Sequence, residues 1–322
     1  MMLADHIIQS AKNPKGMNPF FTDFGKAVAA AVPFEIEPDV GRIAHAVQQS
    51  DGKRLLAIHE FCRVPFKSSW FEWVGPSASF GTTIKSDART EETAPRPDRC
   101  GALVEVLDDD MSAAMVSFAW SHKQYGVNVS PYSFLFDWAG KNRIPKVASK
   151  MALDDIRKAF PKHKNDSDDD LNRLEARAEV LPNPRLVKLW MAVEARGAEY
   201  LEAFKANAIS DCEGEGGFVE GLLATLNSRN LSSVSEPCDM SKINKARRRM
   251  GRPELLSFRT VRLSLSRGVE RRRGQGTGDP LPLHMVRGHF KVRKSGIYWW
   301  SPFWRGDAAI GVVSRSGYQV AA

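Results

Sequence analysis

His289 stands two positions from Arg287 on one side and two from Lys291 on the other, within the segment LPLHMVRGHFKVRKSGIYWWSPFWRG, residues 281–306. Arg287, Lys291, Arg293, Lys294 and Arg305 can neutralise phosphates, and Tyr298, Trp299, Trp300 and Trp304 carry ring faces on which bases stack. With Ser295-Gly296 as the turn, the segment reads as a hairpin. His284, Val286, Gly288 and Phe290 then share one side, and Arg287, His289, Lys291 and Arg293 the other. A histidine among arginines is what a metal-independent ribonuclease needs: an acid or base for the 2′-hydroxyl and the leaving oxygen, and guanidinium groups for the charge that develops at phosphorus. His289 with Arg287 and Arg305 is therefore the catalytic candidate. The plain alternative makes His289 a hydrogen-bonded strand residue and the tryptophans, with Phe303, part of the core.

A second chemical feature is SKINKARRRM, residues 241–250, read as a helix bearing Lys242, Lys245, Arg247, Arg248 and Arg249. Its Ile243, Ala246 and Met250 fall at helical spacing and predict a narrow buried seam, while Gly251 ends the helix and Pro253 prevents its restart. Arg252 follows. Arg271, Arg272 and Arg273 open RRRGQGTGD, which has neither the Walker ending nor the Rossmann glycine spacing and reads as a connector. These cations, with Lys291, Arg293, Lys294, Trp299 and Trp300, form the candidate nucleic-acid-binding set. The competing expectation docks the basic helix on an acidic neighbour in the same chain.

That neighbour exists. Residues 241–322 hold 18 Lys+Arg against 4 Asp+Glu, an excess of +14, whereas residues 151–240 hold 11 against 17, or −6, and residues 1–150 balance. The net +8 thus conceals a gradient, and a concentrated positive surface points first to nucleic acid. Other chemistries are excluded or weakened. Cys62, Cys100, Cys212 and Cys238 make no C-x-x-C pair and read as buried free thiols; His284 and His289 adjoin no H-E-x-x-H helix, so no metal site is expected, and no cofactor. The aspartates of 166–170 read as a solvated helix start. The longest apolar run, about ten residues near Met111–Trp120, is far short of the roughly 20 that span a bilayer. The first residues lack an export signal, so a cytoplasmic protein without membrane contact is expected.

The elements that must position these residues fall into three stretches, 1–150, 151–240 and 241–322. The first predicts a short helix from Thr22, ended by Pro33, and another over Asp39–Gln49 that buries Val40, Ile43, Ala44 and Val47. Strands follow at KRLLAIHEF, SSWFEWV, CGALVEVL, MSAAMVSFAW and VNVSPYSFLFDW, with a long polar loop over FGTTIKSDARTEETAPRPDR. The middle predicts helices at LEARAEVL, at PRLVKLWMAVEARGAEYLEAFKANAI starting from Pro184, and at FVEGLLATLNSR. In the last, FRTVRLSL alternates as a strand presenting Arg259 and Arg262 together. The expected fold is α+β, a mainly antiparallel sheet built from N- and C-terminal strands around one core, with the helical middle segment inserted.

NKARRRMGRPELLSFRTVRL followed by LPLHMVRGHFKVRKSGIYWWSPFWRG resembles the C-terminal signature of a family of uncharacterised proteins from tailed phages and prophages: an Asn-Lys-Ala-Arg helix ending in Gly-x-Pro, an Arg-Gly-His strand and a Trp-rich strand closed by Arg-Gly. RVPFKSSWFEWV and CGALVEVL are similar to its N-terminal part. The match runs in patches over about half the chain and departs where the spacer between the last two strands shortens to KVRKSG. The resemblance implies a phage origin and action in the bacterial host cytoplasm. Three functions are thereby set out: a nucleic-acid-binding effector or regulator acting through the basic C-terminal region, with RNA favoured over DNA because cations beside aromatic rings suit unstacked bases; a metal-independent endoribonuclease centred on His289; and a protein-interaction module, an inhibitor or virion component, for an acidic partner.

Overall fold

The structure is a computed structural model that describes residues 2–12, 21–48, 50–75, 97–123, 126–140, 150–159, 161–264, 281–286, 288–300 and 303–313. Helices α1 (Leu3–Lys12) and α2 (Thr22–Ala30) precede strand β1 (Val32–Ile36), and helices α3 (Pro38–Gln48) and α4 (Gly52–His59) follow it. Strands β2 (Ser68–Val74), β3 (Arg99–Val106), β4 (Ala113–His122) and β5 (Gly126–Asp137) come next. Then come α5 (Lys150–Ala159), α6 (Asp168–Glu175), β6 (Ala178–Pro182), α7 (Val187–Glu194), α8 (Ala198–Leu226) and β7 (Ser232–Val234). The last part holds α9 (Ser241–Arg249), β8 (Arg259–Leu263), β9 (Pro282–Val286), β10 (His289–Arg293), β11 (Gly296–Trp300), β12 (Phe303–Arg305) and β13 (Asp307–Val313).

The fold is α+β. One large sheet runs in the order β6-β5-β4-β3-β2-β1-β8-β7. It is parallel where β1 meets β2 and β8, and antiparallel at its other pairings. Strand β8 thus joins the C-terminal region to the N-terminal meander, and β6 and β7 of the middle form the edges. Helices cover both faces. On one, Phe24 of α2 meets Trp70 edge-to-face at 6.3 Å; on the other, Phe218 of α8 packs on Trp73 at 4.5 Å, with α3 alongside α8. Double coverage explains why β2 to β5 read as nearly continuous apolar runs rather than clean alternation. The one carboxylate in β2, Glu72, is fully buried, and it accepts the N–H groups of Leu3 and Ala4 at the start of α1, the Trp70 indole and the Arg99 guanidinium. A helix N-terminus and a guanidinium together compensate its charge. The apolar core runs unbroken from Leu3 through Phe218 and Leu222 to Val261, Phe290, Ile297 and Trp299, so all three stretches share it.

Several local expectations are corrected. KRLLAIHEF is not a strand but α4: Asp51 caps it by accepting the Arg54 N–H, and Leu55, Leu56, Ile58 and His59 are buried. Pro33 does not merely end a helix, because it lies within β1, ahead of the first β8 partner at Phe34, where that side of the strand is still unpaired. The aspartate run does start a helix, capped by Ser167, but the following AEVL leaves it as strand β6. The long helix expected from Pro184 is broken at Gly197, whose φ of 102° suits glycine, and beyond it Tyr200 faces solvent. Helix α8 then continues through FVEGLLATL without a further break. Arg259 and Arg262 sit on opposite faces of β8, each with its own carboxylate, Glu236 and Glu37. Cys62 and Cys100 are buried thiols, whereas Cys238 is exposed. The polar loop at 80–99 falls almost wholly outside the described residues, and the RRRGQGTGD connector lies entirely outside them.

Candidate nucleic-acid interface

Helix α9 is an excursion between β7, at the sheet edge, and its neighbour β8. Its end is set by Gly251, at φ 64°, with the Gly251 N–H on the Arg248 carbonyl and the Arg252 N–H on the Arg247 carbonyl, the double bond of a Schellman cap. Its base is held by backbone mimicry: the Asn244 amide donates to the Leu255 carbonyl and accepts the Leu255 N–H, both at 2.9 Å. Arg247 donates to the Pro253 carbonyl at 2.6 Å, Arg248 pairs with Glu254, and the Leu256 N–H reaches Asp5 of α1. The expected buried seam does not form. No residue of α9 is buried, and Ile243 and Met250 are 49% and 69% exposed. Among the described residues no ion pair joins α9 to residues 151–240, so the helix does not dock on the acidic middle through its charges. Lys242, Lys245 and Arg249 share one exposed stripe, and with the exposed Arg252 they have no carboxylate partner among the described residues.

The hairpin is β10 paired antiparallel with β11, His289 opposite Trp300 and Lys291 opposite Tyr298. Its turn is Lys294-Ser295, one residue earlier than expected, with Gly296 opening β11. Period-two alternation divides it. Phe290, Val292, Ile297 and Trp299 face the core, where Phe290 and Trp299 meet edge-on at 5.0 Å. Trp299, 8% exposed, is therefore a core residue with no free face for stacking, and Asn230 clamps its backbone N–H and carbonyl at 2.9 Å each. His289, Lys291, Arg293, Tyr298 and Trp300 face outward. The Lys291 ammonium lies 4.4 Å from the centre of the Trp300 ring, the Arg293 guanidinium 5.6 Å from that of Tyr298, and the His289 ring 5.9 Å from Trp300. The Tyr298 phenol is held below its ordinary pKa of 10.0, first by the Ser295 hydroxyl and then by the charges of Arg229 and Arg293.

Of the expected catalytic trio the structure describes His289, in β10, and Arg305, in a different sheet. β9 pairs with β12 and β13 in a separate sheet, so His284 and Val286 do not share a face with Phe290. Arg305 lies opposite His284 in that sheet, and Arg287, like Arg271, Arg272 and Arg273, lies outside the described residues. Among the described residues, no cluster of three or more His, Cys, Asp or Glu side chains could hold a metal ion, and no helix is long and apolar enough to cross a membrane.

Lys53 and Arg54 of α4, which face the hairpin, and Arg229, beside Tyr298, escaped the sequence reading. For α4 a signal was present: an N-capping Asp51 ahead of apolar residues spaced three and four apart. For Arg229 there was none, because its neighbour is distant in the chain. Comparison with known protein families, curated proteins and solved structures gives no match.

Proposed function

We propose that the chain is a phage-encoded effector or regulator that binds nucleic acid through its basic C-terminal region, RNA in preference to DNA. The observation that carries this reading is α9: a rigidly based helix that buries nothing and keeps Lys242, Lys245, Arg249 and Arg252 clear of the acidic middle. Cations left unneutralised by their own protein are what a phosphate backbone recruits. The outward face of the hairpin supplies a complement. Lys291 and Arg293 alternate with Trp300 and Tyr298, so a base can replace a cation on a ring face while the displaced cation meets the adjoining phosphate. Rings of this kind act on unstacked bases, which favours single strands and hence RNA. The phage resemblance of both motifs supports a setting in the bacterial host cytoplasm.

The test is a salt titration of binding to single-stranded RNA, single-stranded DNA and duplex. Each phosphate contact contributes a log–log slope of about −0.7 for single strands, so Lys242→Ala, Lys245→Ala and Arg249→Ala combined should flatten the slope by about two and leave the fold intact. An unchanged slope would turn α9 over to a protein partner. RNA cleavage that persists in a chelator, leaves 2′,3′-cyclic phosphate ends and stops in His289→Gln would replace binding by catalysis as the primary reading.

A further inference from the structure

We propose that the groove between the start of α4 and the outer edge of β10 is a phosphate subsite for the same single strand, so that the N-terminal region shares the nucleic-acid site. The groove, of about 490 Å³, has Asp51, Lys53 and Arg54 on one wall, His289 and Lys291 on the other, and an apolar patch from Phe290. Three fixed cations face one carboxylate. That carboxylate is engaged locally, since Asp51 accepts the Arg54 N–H at 2.9 Å and approaches the Arg54 guanidinium only to 4.0 Å. Lys53, exposed, has no carboxylate partner among the described residues. The groove therefore carries an unneutralised positive charge with walls from two regions of the chain.

Topology makes the juxtaposition stable. On its far side β11 is fastened to the segment after α8, through the Arg229 N–H on the Ile297 carbonyl at 3.1 Å and the Asn230 clamp on Trp299. Strand β10 has no further strand beside it among the described residues, so its outer edge is left to face α4. Lys291 belongs to both surfaces, because it lines the groove and covers Trp300. A strand whose base stacks on Trp300 would thus place its neighbouring phosphate at the mouth of the groove, within the field of Lys53 and Arg54. The inference rests on the proposed binding of single-stranded nucleic acid and specifies where one phosphate goes.

The experiment uses the full chain and a fluorescent oligouridylate, with affinity measured across a salt series for the wild type, for Lys53→Ala with Arg54→Ala, and for the α9 triple variant. The groove variant should flatten the log–log slope by between about one and about 1.5, in addition to the loss from α9, with an unchanged melting temperature because both side chains are exposed. A wild-type slope in that variant, with the α9 effect intact, overturns the groove and leaves the C-terminal reading standing. Failure of the wild type to bind oligouridylate or any other oligonucleotide removes both. Oligoglutamate that displaces the RNA, and whose own binding is lost in the groove variant, would assign the groove to an acidic polypeptide instead and overturn the inference.

Discussion

Arg157 in the acidic middle bonds Asp154, Asp168 and the Asp166 carbonyl, whereas Lys242, Lys245 and Arg249 in the basic region meet no described carboxylate. Residues 151–240 consume their charges near home: Lys158 pairs with Asp155, and Asp166 receives both the His163 ring at 2.7 Å and the Gly52 N–H at the start of α4. Glu220 faces the buried His59 at 3.4 Å. Two adjoining stretches of opposite charge are an obvious electrostatic pair on paper, but these carboxylates are already engaged, Asp154, Asp155, Asp166 and Asp168 within their own stretch and Glu220 against His59. Lys242, Lys245, Arg249 and Arg252 are consequently available to something outside the chain, whereas Arg248, Arg259 and Arg262 are paired with Glu254, Glu236 and Glu37.

The largest effect that tests this contrast concerns which part of the basic region is structural. Trp299→Ala should cost about 3–5 kcal/mol of stability, the usual range for deleting a buried aromatic, read as a drop in denaturation midpoint. If the protein tolerates that change at less than about 1 kcal/mol, the hairpin is not anchored through its inner face and the division of the two faces fails.

Next in size is the acidic middle's own interior. Burial pushes the Glu215 carboxyl up from 4.5 to about 7, against the opposing pull of hydrogen bonds from Trp120 and Cys100. The folded protein then holds a proton that the unfolded chain releases, so this contribution is complete below about pH 4.5 and is lost as pH rises to about 7. The loss is on the order of 3 kcal/mol. Glu215→Gln should match the wild type at pH 4, exceed it in stability at pH 8, and flatten the slope between. A wild-type pH profile in that variant would mean that Glu215 is ionised and still contributes to the acidic field.

How much of this was legible in the sequence depends on what decides each feature. The strands β2 to β5 were readable because aromatic and branched residues run without interruption between turn signals. Strand β1 was hidden by Pro33, and α4 by Leu55-Leu56, which look strand-like unless Asp51 is recognised as a cap. Period two correctly separated His289, Lys291 and Arg293 from Phe290, since it depends only on local geometry. The seam of α9 shows the limit: helical spacing placed Ile243, Ala246 and Met250 on one side, but whether another element covers that side is a tertiary matter. The approach of Lys53 and Arg54 to Lys291 is of the same kind.

Trp300 supplies the third test, with a smaller effect on a different observable. Its ring is partly exposed and covered by Lys291, so Trp300→Ala should leave the melting temperature nearly unchanged and weaken single-stranded RNA binding by about 1–3 kcal/mol. Destabilisation comparable to that of Trp299→Ala, with binding per folded molecule intact, would make both tryptophans structural and leave the cations of α9, the hairpin and the groove to hold the strand by its phosphates alone.

The smallest effect is the most direct test of whether the two charged regions neutralise each other. Among the described residues, the ion pair that joins them is Arg259–Glu236 at 3.0 Å. The Glu236 side chain is 85% exposed, so solvent and salt screen most of the attraction, while Arg259 is also held over the Phe66 ring at 5.6 Å and does not depend on the carboxylate for its position. Glu236→Gln should therefore cost no more than about 0.5 kcal/mol, the scale of an exposed pair, and that small loss should vanish in high salt. A cost above about 1.5 kcal/mol that survives high salt would show that the middle segment clamps the basic region. In that event the positive charge of the last stretch is partly spent on the fold, and the salt slope for RNA should steepen when Glu236 is neutralised, because Arg259 then becomes an additional phosphate contact.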